Sequence, residues 1–194
     1  GRRLVAAGER GLVIFSDDDG ASWTQARVPV GVTLTALAFM DDREGFAAVH
    51  LGVLLNTQDG GANWKTLLDG QQVAALALEA AKAIRARATR PDEAERSAQA
   101  LIDAQRLVDE GADKPWLALH RRRDGNLLAL GAYGLALGSD DRGRSWRALT
   151  PQLPNPDSLS LYGWVQRGEQ QFLFGEQGLL LASTRGGPFV AQSS

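Results

Sequence analysis

The chain has no cysteine, which excludes disulfide bridges and thiolate metal sites and leaves packing and hydrogen bonding to hold the fold. Histidine is almost as scarce: of 194 residues only His50 and His120 are histidine, and neither has a second ligand at metal-binding spacing. There are two tyrosines, Tyr133 and Tyr162, and one methionine. The formal net charge of −2 supplies no field for gathering nucleic acid or an anionic membrane surface. No apolar run reaches the ~18 residues of a membrane-spanning helix. No secretory signal leads the sequence, which opens inside a structural unit and so reads as cut at that end. A glycine-rich phosphate loop followed by lysine is missing, as is any Ser/His/Asp order, and no cofactor is expected.

What the sequence does have is glycine, 22 in all, and a pattern that returns. Ser16-Asp17-Asp18-Asp19-Gly20-Ala21-Ser22-Trp23 reads S-x-D-x-G-x-x-W. The same spacing recurs at Thr57, Asp59, Gly61 and Trp64, and again at Ser139, Asp141, Gly143 and Trp146. The copies start 41 and then 82 residues apart, the second interval being twice the first. A worn fourth copy begins at Ser183, where Arg185 replaces the carboxylate, Gly187 survives and Phe189 is the nearby aromatic. Hydroxyl and carboxylate groups take hydrogen bonds from backbone N–H groups just downstream, and glycine accepts positive φ. Each box is therefore a tight turn that consumes its own polar groups, a structural rather than a chemical motif. The tryptophan opens the outgoing strand and is expected to cover the turn and pack toward the next unit.

Each box follows a short β-prone run, at residues 12–15, 53–55 and 135–137. Upstream stand Gly8-Glu9-Arg10-Gly11, Val49-His50-Leu51-Gly52, Gly131-Ala132-Tyr133-Gly134 and Gly175-Glu176-Gln177-Gly178, whose last glycine precedes the box hydroxyl by five residues. Strand, turn, strand, glycine turn, strand, box, strand, repeated in about 40 residues, is the sequence form of a four-stranded antiparallel propeller blade. The expected class is all-β: a β-propeller of about four blades, with an α-helical hairpin inserted. Residues 1–70 hold blade one, without its innermost strand, and blade two; residues 71–114 hold the insertion; residues 115–194 hold blades three and four.

Across residues 71–111 the β pattern gives way to Ala, Leu, Glu, Arg and Gln with apolar positions three and four apart. Val73, Leu76, Ala77, Ala80 and Ile84 form one stripe; Ala94, Ala98, Leu101, Ile102, Gln105 and Val108 form another. Pro91 suits a first helical position, with Asp92, Glu93 and Glu95 in the first turn, and Gly111 suits a C-terminal cap. Such an arm either lies on the propeller or docks a partner helix. Its removal, from Gln72 to Gly111, is expected to leave the blades folded and to impair partner capture. The densest positive cluster, His120-Arg121-Arg122-Arg123, runs into a turn at residues 123–126, and strand alternation puts Arg121 and Arg123 on one face. Arg121, Arg122 and Arg123 are the candidate partner-binding residues, since guanidinium forks suit carboxylates; a solvated strand end is the plain alternative.

The full pattern G-x-x-G-x-x-x-x-S-x-D-x-G-x-x-W resembles the Asp-box, or bacterial neuraminidase repeat. Its pairing with the glycine turn is similar to the propellers of the photosystem II assembly and stability factors, and most of all to proteobacterial relatives with a helical insertion after the second box. Here Leu68-Asp69-Gly70 leads into the insertion and Leu153-Pro154-Asn155-Pro156-Asp157 follows the third box. The resemblance implies a seven-bladed propeller in the periplasm or secreted. Its implied role is a non-catalytic scaffold that binds a protein partner, no nucleic acid, in the assembly or stability of a membrane or envelope complex. Seven blades take about 290 residues. A chain with about four is then a fragment, or one that closes by self-association through open blade edges. The rival class is a sialidase-like glycosidase, which needs arginines for the substrate carboxylate, a tyrosine nucleophile activated by a glutamate, and an acid. Tyr133 fills the repeat slot held elsewhere by Arg10, Leu51 and Gln177, and Glu169 and Glu176 lie beside turns of blade four with no arginine trio converging on them. No catalytic residue is assigned.

Overall fold

The computed structural model describes residues 3–111 and 113–192. Four antiparallel sheets follow one another along the chain, each built from consecutive strands. Blade one has three strands, β1 (Leu4–Ala7), β2 (Val13–Ser16) and β3 (Thr24–Gln25). Blade two is β4 (Leu34–Phe39), β5 (Gly45–Val49), β6 (Leu54–Thr57) and β7 (Lys65–Leu68). Blade three is β8 (Trp116–Arg121), β9 (Leu127–Gly131), β10 (Ala136–Ser139) and β11 (Arg147–Ala148). Blade four is β12 (Leu161–Arg167), β13 (Gln170–Gly175), β14 (Leu180–Thr184) and β15 (Val190–Ala191). First strands adjoin, β4 beside β8 and β8 beside β12, so the blades fan out around a common edge as propeller blades do.

A blade packed on both sides must be apolar on both faces, and the middle strands meet that demand. In β5 every residue is buried. Alternation sends Ala47 and Val49 into the cluster shared with Val13 of blade one, and Phe46 and Ala48 into the cluster shared with Leu127 and Ala129 of blade three. A third cluster joins Leu128 and Leu130 to Leu161, Leu173 and Leu181 between blades three and four. The core is thus a series of inter-blade layers. Burial of the box tryptophans follows from this. Trp146 packs edge-on to Phe46 of the preceding blade, with ring centroids 6.3 Å apart, and Trp64 lies in the cluster shared with blade one. They pack backward along the chain, whereas the sequence suggested the next unit. Trp64 is 4% exposed and Trp146 8%, but Trp23 is 44% exposed, because among the described residues no blade precedes its own.

The glycine turns explain an oddity of the repeat. Arg10, Leu51, Tyr133 and Gln177 all have positive φ, at 56°, 62°, 57° and 53°, and each is followed by a left-handed glycine. Two successive left-handed residues make a type I′ turn, whose twist matches that of the strands it joins. Gly11 shows why the second position is glycine: a Cβ there would collide with the Val30 carbonyl oxygen. A side chain in the first position costs about 1 kcal/mol, and asparagine bears the left-handed conformation best. Leu51, exposed on its turn, is the clearest case. Leu51→Asn is expected to raise stability by about 0.5–1 kcal/mol, seen as a higher urea midpoint; a lower midpoint would mean that Leu51 packing outweighs the strain.

The inserted arm consists of α1 (Gly70–Arg87) and α2 (Pro91–Glu110). Asp69 and Gln72 form a reciprocal capping box at the start of α1, each side chain taking the other's backbone N–H at 2.9 Å. Pro91 opens α2, the Glu93 carboxylate accepts from the Thr89 and Arg90 N–H groups, and Gly111 ends the helix at φ 83°. α1 lies against β11 and the Thr150–Gln152 turn, with Val73, Ala74, Ala77 and Ala81 buried. Its expected stripe stands, but that of α2 is corrected: Ile102, Gln105 and Val108 are exposed, while Ser97 and Ala104 are buried and Leu101 and Leu107 pack inward. Small residues let two helices approach, and the Ser97 hydroxyl can be buried because it donates to the Ala94 carbonyl at 3.0 Å. Val73, Ala77, Ala81 and Ala104 belong to one core cluster with Trp146 and Ala148, so the arm is part of blade three's packing.

Candidate interaction surface

The three intact boxes share one hydrogen-bond scheme. In the third, the Ser139 hydroxyl donates to Asp141 Oδ1 at 2.9 Å and accepts from the Gly143 N–H at 2.7 Å. The Ser145 N–H and hydroxyl donate to the two Asp141 oxygens at 2.9 and 2.6 Å. Ser22 and Asn63 do the same for Asp18 and Asp59. The polar residue before each tryptophan is thus a working part of the box that the S-x-D-x-G-x-x-W pattern leaves unread. In the fourth copy, with arginine at 185, no carboxylate gathers these donors. There the left-handed pair falls one residue early, at Arg185 and Gly186 rather than at Gly187. The Ser183 hydroxyl donates to the Gly187 carbonyl at 2.6 Å, and Arg185 pairs with Glu169 at 2.7 Å.

Donors from Ser145, then Ser139 and the Arg144 backbone, hold Asp141 at a pKa of about 2. Donors from Ser22, then Ser16, hold Asp18 at about 2. Burial alone would raise Asp59, but the hydrogen bonds from Asn63 and Thr57 outweigh it and keep that carboxyl below the usual range. A folded-state pKa below the unfolded value of about 4 gives stability that is present above pH ~4 and lost as pH falls toward 2. Urea midpoints taken between pH 5 and pH 2 are therefore expected to fall more steeply for the native chain than for Asp141→Asn. Parallel slopes would show that the carboxylate titrates alike in both states. These carboxylates are committed to their turns and are not free to act as acids or bases.

The arginine run divides into two roles. His120 pairs with Leu128 across the ladder and faces blade four, and Arg122, two residues on, turns the same way. Arg122 Nη2 donates to Gln171 Oε1 at 2.9 Å, and its guanidinium lies 5.6 Å from the Trp164 ring centroid. Trp164 Nε1 donates to the same Gln171 oxygen at 3.3 Å, and the His120 ring stands 6.0 Å from the Trp164 ring. Burial lowers the His120 pKa, favouring neutral imidazole in this seam between blades. Arg122 thus anchors the turn to blade four. Arg121 and Arg123 are exposed on the other side and make no ion pair or hydrogen bond with a described residue. The turn is rigid: the Arg122 N–H donates to the Asn126 carbonyl at 2.8 Å, and Asp124 Oδ1 accepts from the Asn126 N–H at 3.0 Å. The neighbouring first turn, in blade two, contributes an open depression lined by Asp41, Asp42, Arg43, Glu44 and Gln58.

Of the residues a glycosidase would need, the two glutamates are engaged and the two tyrosines lie exposed. Tyr133 is exposed at the tip of its type I′ turn with the Lys114 ammonium 5.0 Å from its ring centroid, and Tyr162 is exposed on β12. Glu169 pairs with Arg185, and Glu176 accepts from the Ser160 N–H at 3.1 Å. Among the described residues no group of three or more His, Asp or Glu could hold a metal ion.

No family model and no curated protein matches the sequence. Solved structures do match the fold. YCF48 from Cyanidioschyzon merolae aligns over 100% of this chain and 53% of its own at TM-score 0.59 and 15% identity. A structure of YCF48 bound to a D1 peptide aligns over 98% of this chain and 50% of its own, at TM-score 0.57 and 13% identity. An ancestral GH74 enzyme aligns over 97% of this chain and 22% of its own, at 0.62 and 14%. The chain spans about half the length of the YCF48 chains, and what it shares with all three is the β-propeller fold.

Proposed function

We propose that this chain is a non-catalytic propeller scaffold of the Asp-box, assembly-factor type, which binds a protein partner belonging to a membrane or envelope complex in the periplasm or outside the cell. The observation that carries the reading is the likeness to YCF48, a photosystem II assembly factor with one structure bound to a D1 peptide. In this chain the surface suited to such work is the arginine turn: two guanidinium groups, Arg121 and Arg123, unpaired among the described residues, on a loop held by Arg122. Because the turn that carries them is already closed by hydrogen bonds, gripping a carboxylate orders the two side chains and not the backbone. The double charge reversal Arg121→Glu, Arg123→Glu is expected to weaken binding of a fluorescent acidic peptide at least about tenfold, with an unchanged far-ultraviolet spectrum. Unaltered affinity would return the pair to a solvated strand end. The likeness to a GH74 enzyme favours glycoside hydrolysis as the second reading; turnover on a panel of sialosides and glycosides would replace the scaffold with an enzyme.

A further inference from the structure

We propose that the seam between blades three and four is an acid-sensitive latch: a neutral His120 lets Arg122 hold the arginine turn onto blade four, and a protonated His120 opposes that hold. The Trp164 ring has both groups as neighbours, the His120 ring at 6.0 Å and the Arg122 guanidinium at 5.6 Å from its centroid. A titratable ring therefore stands beside a cation that never loses its charge. Gln171, 7% exposed, gives this cluster one carbonyl oxygen. That oxygen already accepts from Arg122 Nη2 at 2.9 Å and from Trp164 Nε1 at 3.3 Å, which occupies both of its lone pairs. His120 Nε2 and Arg122 Nε are buried and have no hydrogen-bond partner among the described residues. An uncharged ring nitrogen can bear that position. Protonation turns it into a charged N–H with no free acceptor in the cluster, next to a guanidinium in the same plight.

No carboxylate faces the ring to offset the added charge. Of the strands packed around β8, neither β4, β5 and β9 nor β13 of the facing blade holds a titratable residue. β12 holds Tyr162 and Arg167, both exposed, and Arg121 of β8 itself is exposed on the other side. In the adjoining turns, Arg123 is a further cation, Asp124 accepts from the Asn126 backbone and side chain, and Glu169 pairs with Arg185. The first turn of blade two, with Asp41, Asp42, Arg43 and Glu44, lies on the opposite side of blade three. Burial of the ring acts in the same direction as the cations. A folded-state pKa below the unfolded value of about 6.5 gives stability that is complete above pH ~6.5 and lost as pH falls below it. Asp18 and Asp141 of the boxes, held at about 2, titrate well under that window. Acid thus loosens the anchor of the turn that carries Arg121 and Arg123, whatever that turn binds.

The chain has only two histidines, so proton NMR of the imidazole C2–H signals, assigned with His50→Gln, follows His120 directly. Its titration midpoint is expected below about 6.5, the value for an unfolded chain, and the Trp164 indole N–H signal should shift with the same midpoint. The urea midpoint should be lower at pH 5.5 than at pH 7.5. His120→Gln, which puts an uncharged amide in place of the ring, should remove at least half of that difference. Gln171→Glu supplies the missing charge while keeping an oxygen for Arg122 and Trp164. In that variant the His120 midpoint should rise above about 6.5, and the drop in urea midpoint at pH 5.5 should vanish. Three results would overturn the proposal: a native His120 midpoint at or above about 6.5, a urea difference that His120→Gln reduces by less than half, and a His120 midpoint that Gln171→Glu leaves in place. Should His120→Gln fail to fold, the native titration and Gln171→Glu decide between them.

Discussion

Alanine in place of Trp146 is expected to lower the unfolding free energy by about 3–5 kcal/mol, whereas alanine in place of Trp23 should cost less than about 1 kcal/mol. The two residues occupy the same place in the same motif and differ in what surrounds them. Trp146 fills the layer between blades two and three. Its ring meets Phe46 at an interplanar angle of 70°, and its Nε1 donates to the Gly143 carbonyl at 3.2 Å. A Cβ at Gly143 would run into the Phe46 ring, so the backbone there is pressed against the neighbouring blade, and the space left by the indole could not close by local collapse. Among the described residues nothing stands at Trp23 in the place that Phe46 takes at Trp146. Urea unfolding measures both. Equal losses would place the tryptophan's contribution in the turn it closes instead of in the packing between blades.

The contrast marks where sequence stops being informative. Blades were readable because their turns impose chemistry at fixed positions: a carboxylate to collect N–H groups, and glycine where the chain runs left-handed. Even Tyr133 could be placed, since the repeat explained its slot before its φ of 57° did. A turn is a local object, written in consecutive residues. What Trp23, Trp64 and Trp146 touch is not local, and identical letters gave one exposed ring and two buried ones. The same holds for Arg122. Alternation separates it from Arg121 and Arg123, but only the arrival of Trp164 and Gln171 from blade four makes it an anchor. In α2 the apolar count chose Ile102 and Val108, while the helix seam took Ser97, whose hydroxyl is satisfied within its own helix. Packing selected for size where the pattern reads polarity.

Replacing residues 71–111 by a short flexible linker is expected to cost at least about 3 kcal/mol, which qualifies the sequence-based expectation that the blades would stay folded without the arm. Val73, Ala77 and Ala81 are within 4% of complete burial and share a cluster with Trp146, Ala148 and Leu137, so excision would put the outer edge of blade three, around β11, into water. Burying a valine side chain alone contributes about 1.5–3 kcal/mol, and the alanines and Ala104 add to it. The capping box at Asp69 ties α1 directly to the end of β7, so little chain entropy is spent in holding the arm down. A linker could itself strain the join, and Ala81→Asp provides the check, because it leaves the connection intact while forcing a carboxylate into a site with no exposure. Ile102→Asp and Val108→Asp, on the exposed side of α2, should each stay within about 0.5 kcal/mol of the native chain. If excision and Ala81→Asp both leave the urea midpoint in place, the arm is a detachable appendage and its only role would be outward. If both lower it while the outer substitutions do not, the insertion is the outer wall of blade three. A study of partner binding should then vary the exposed side of α2 and leave the arm in place.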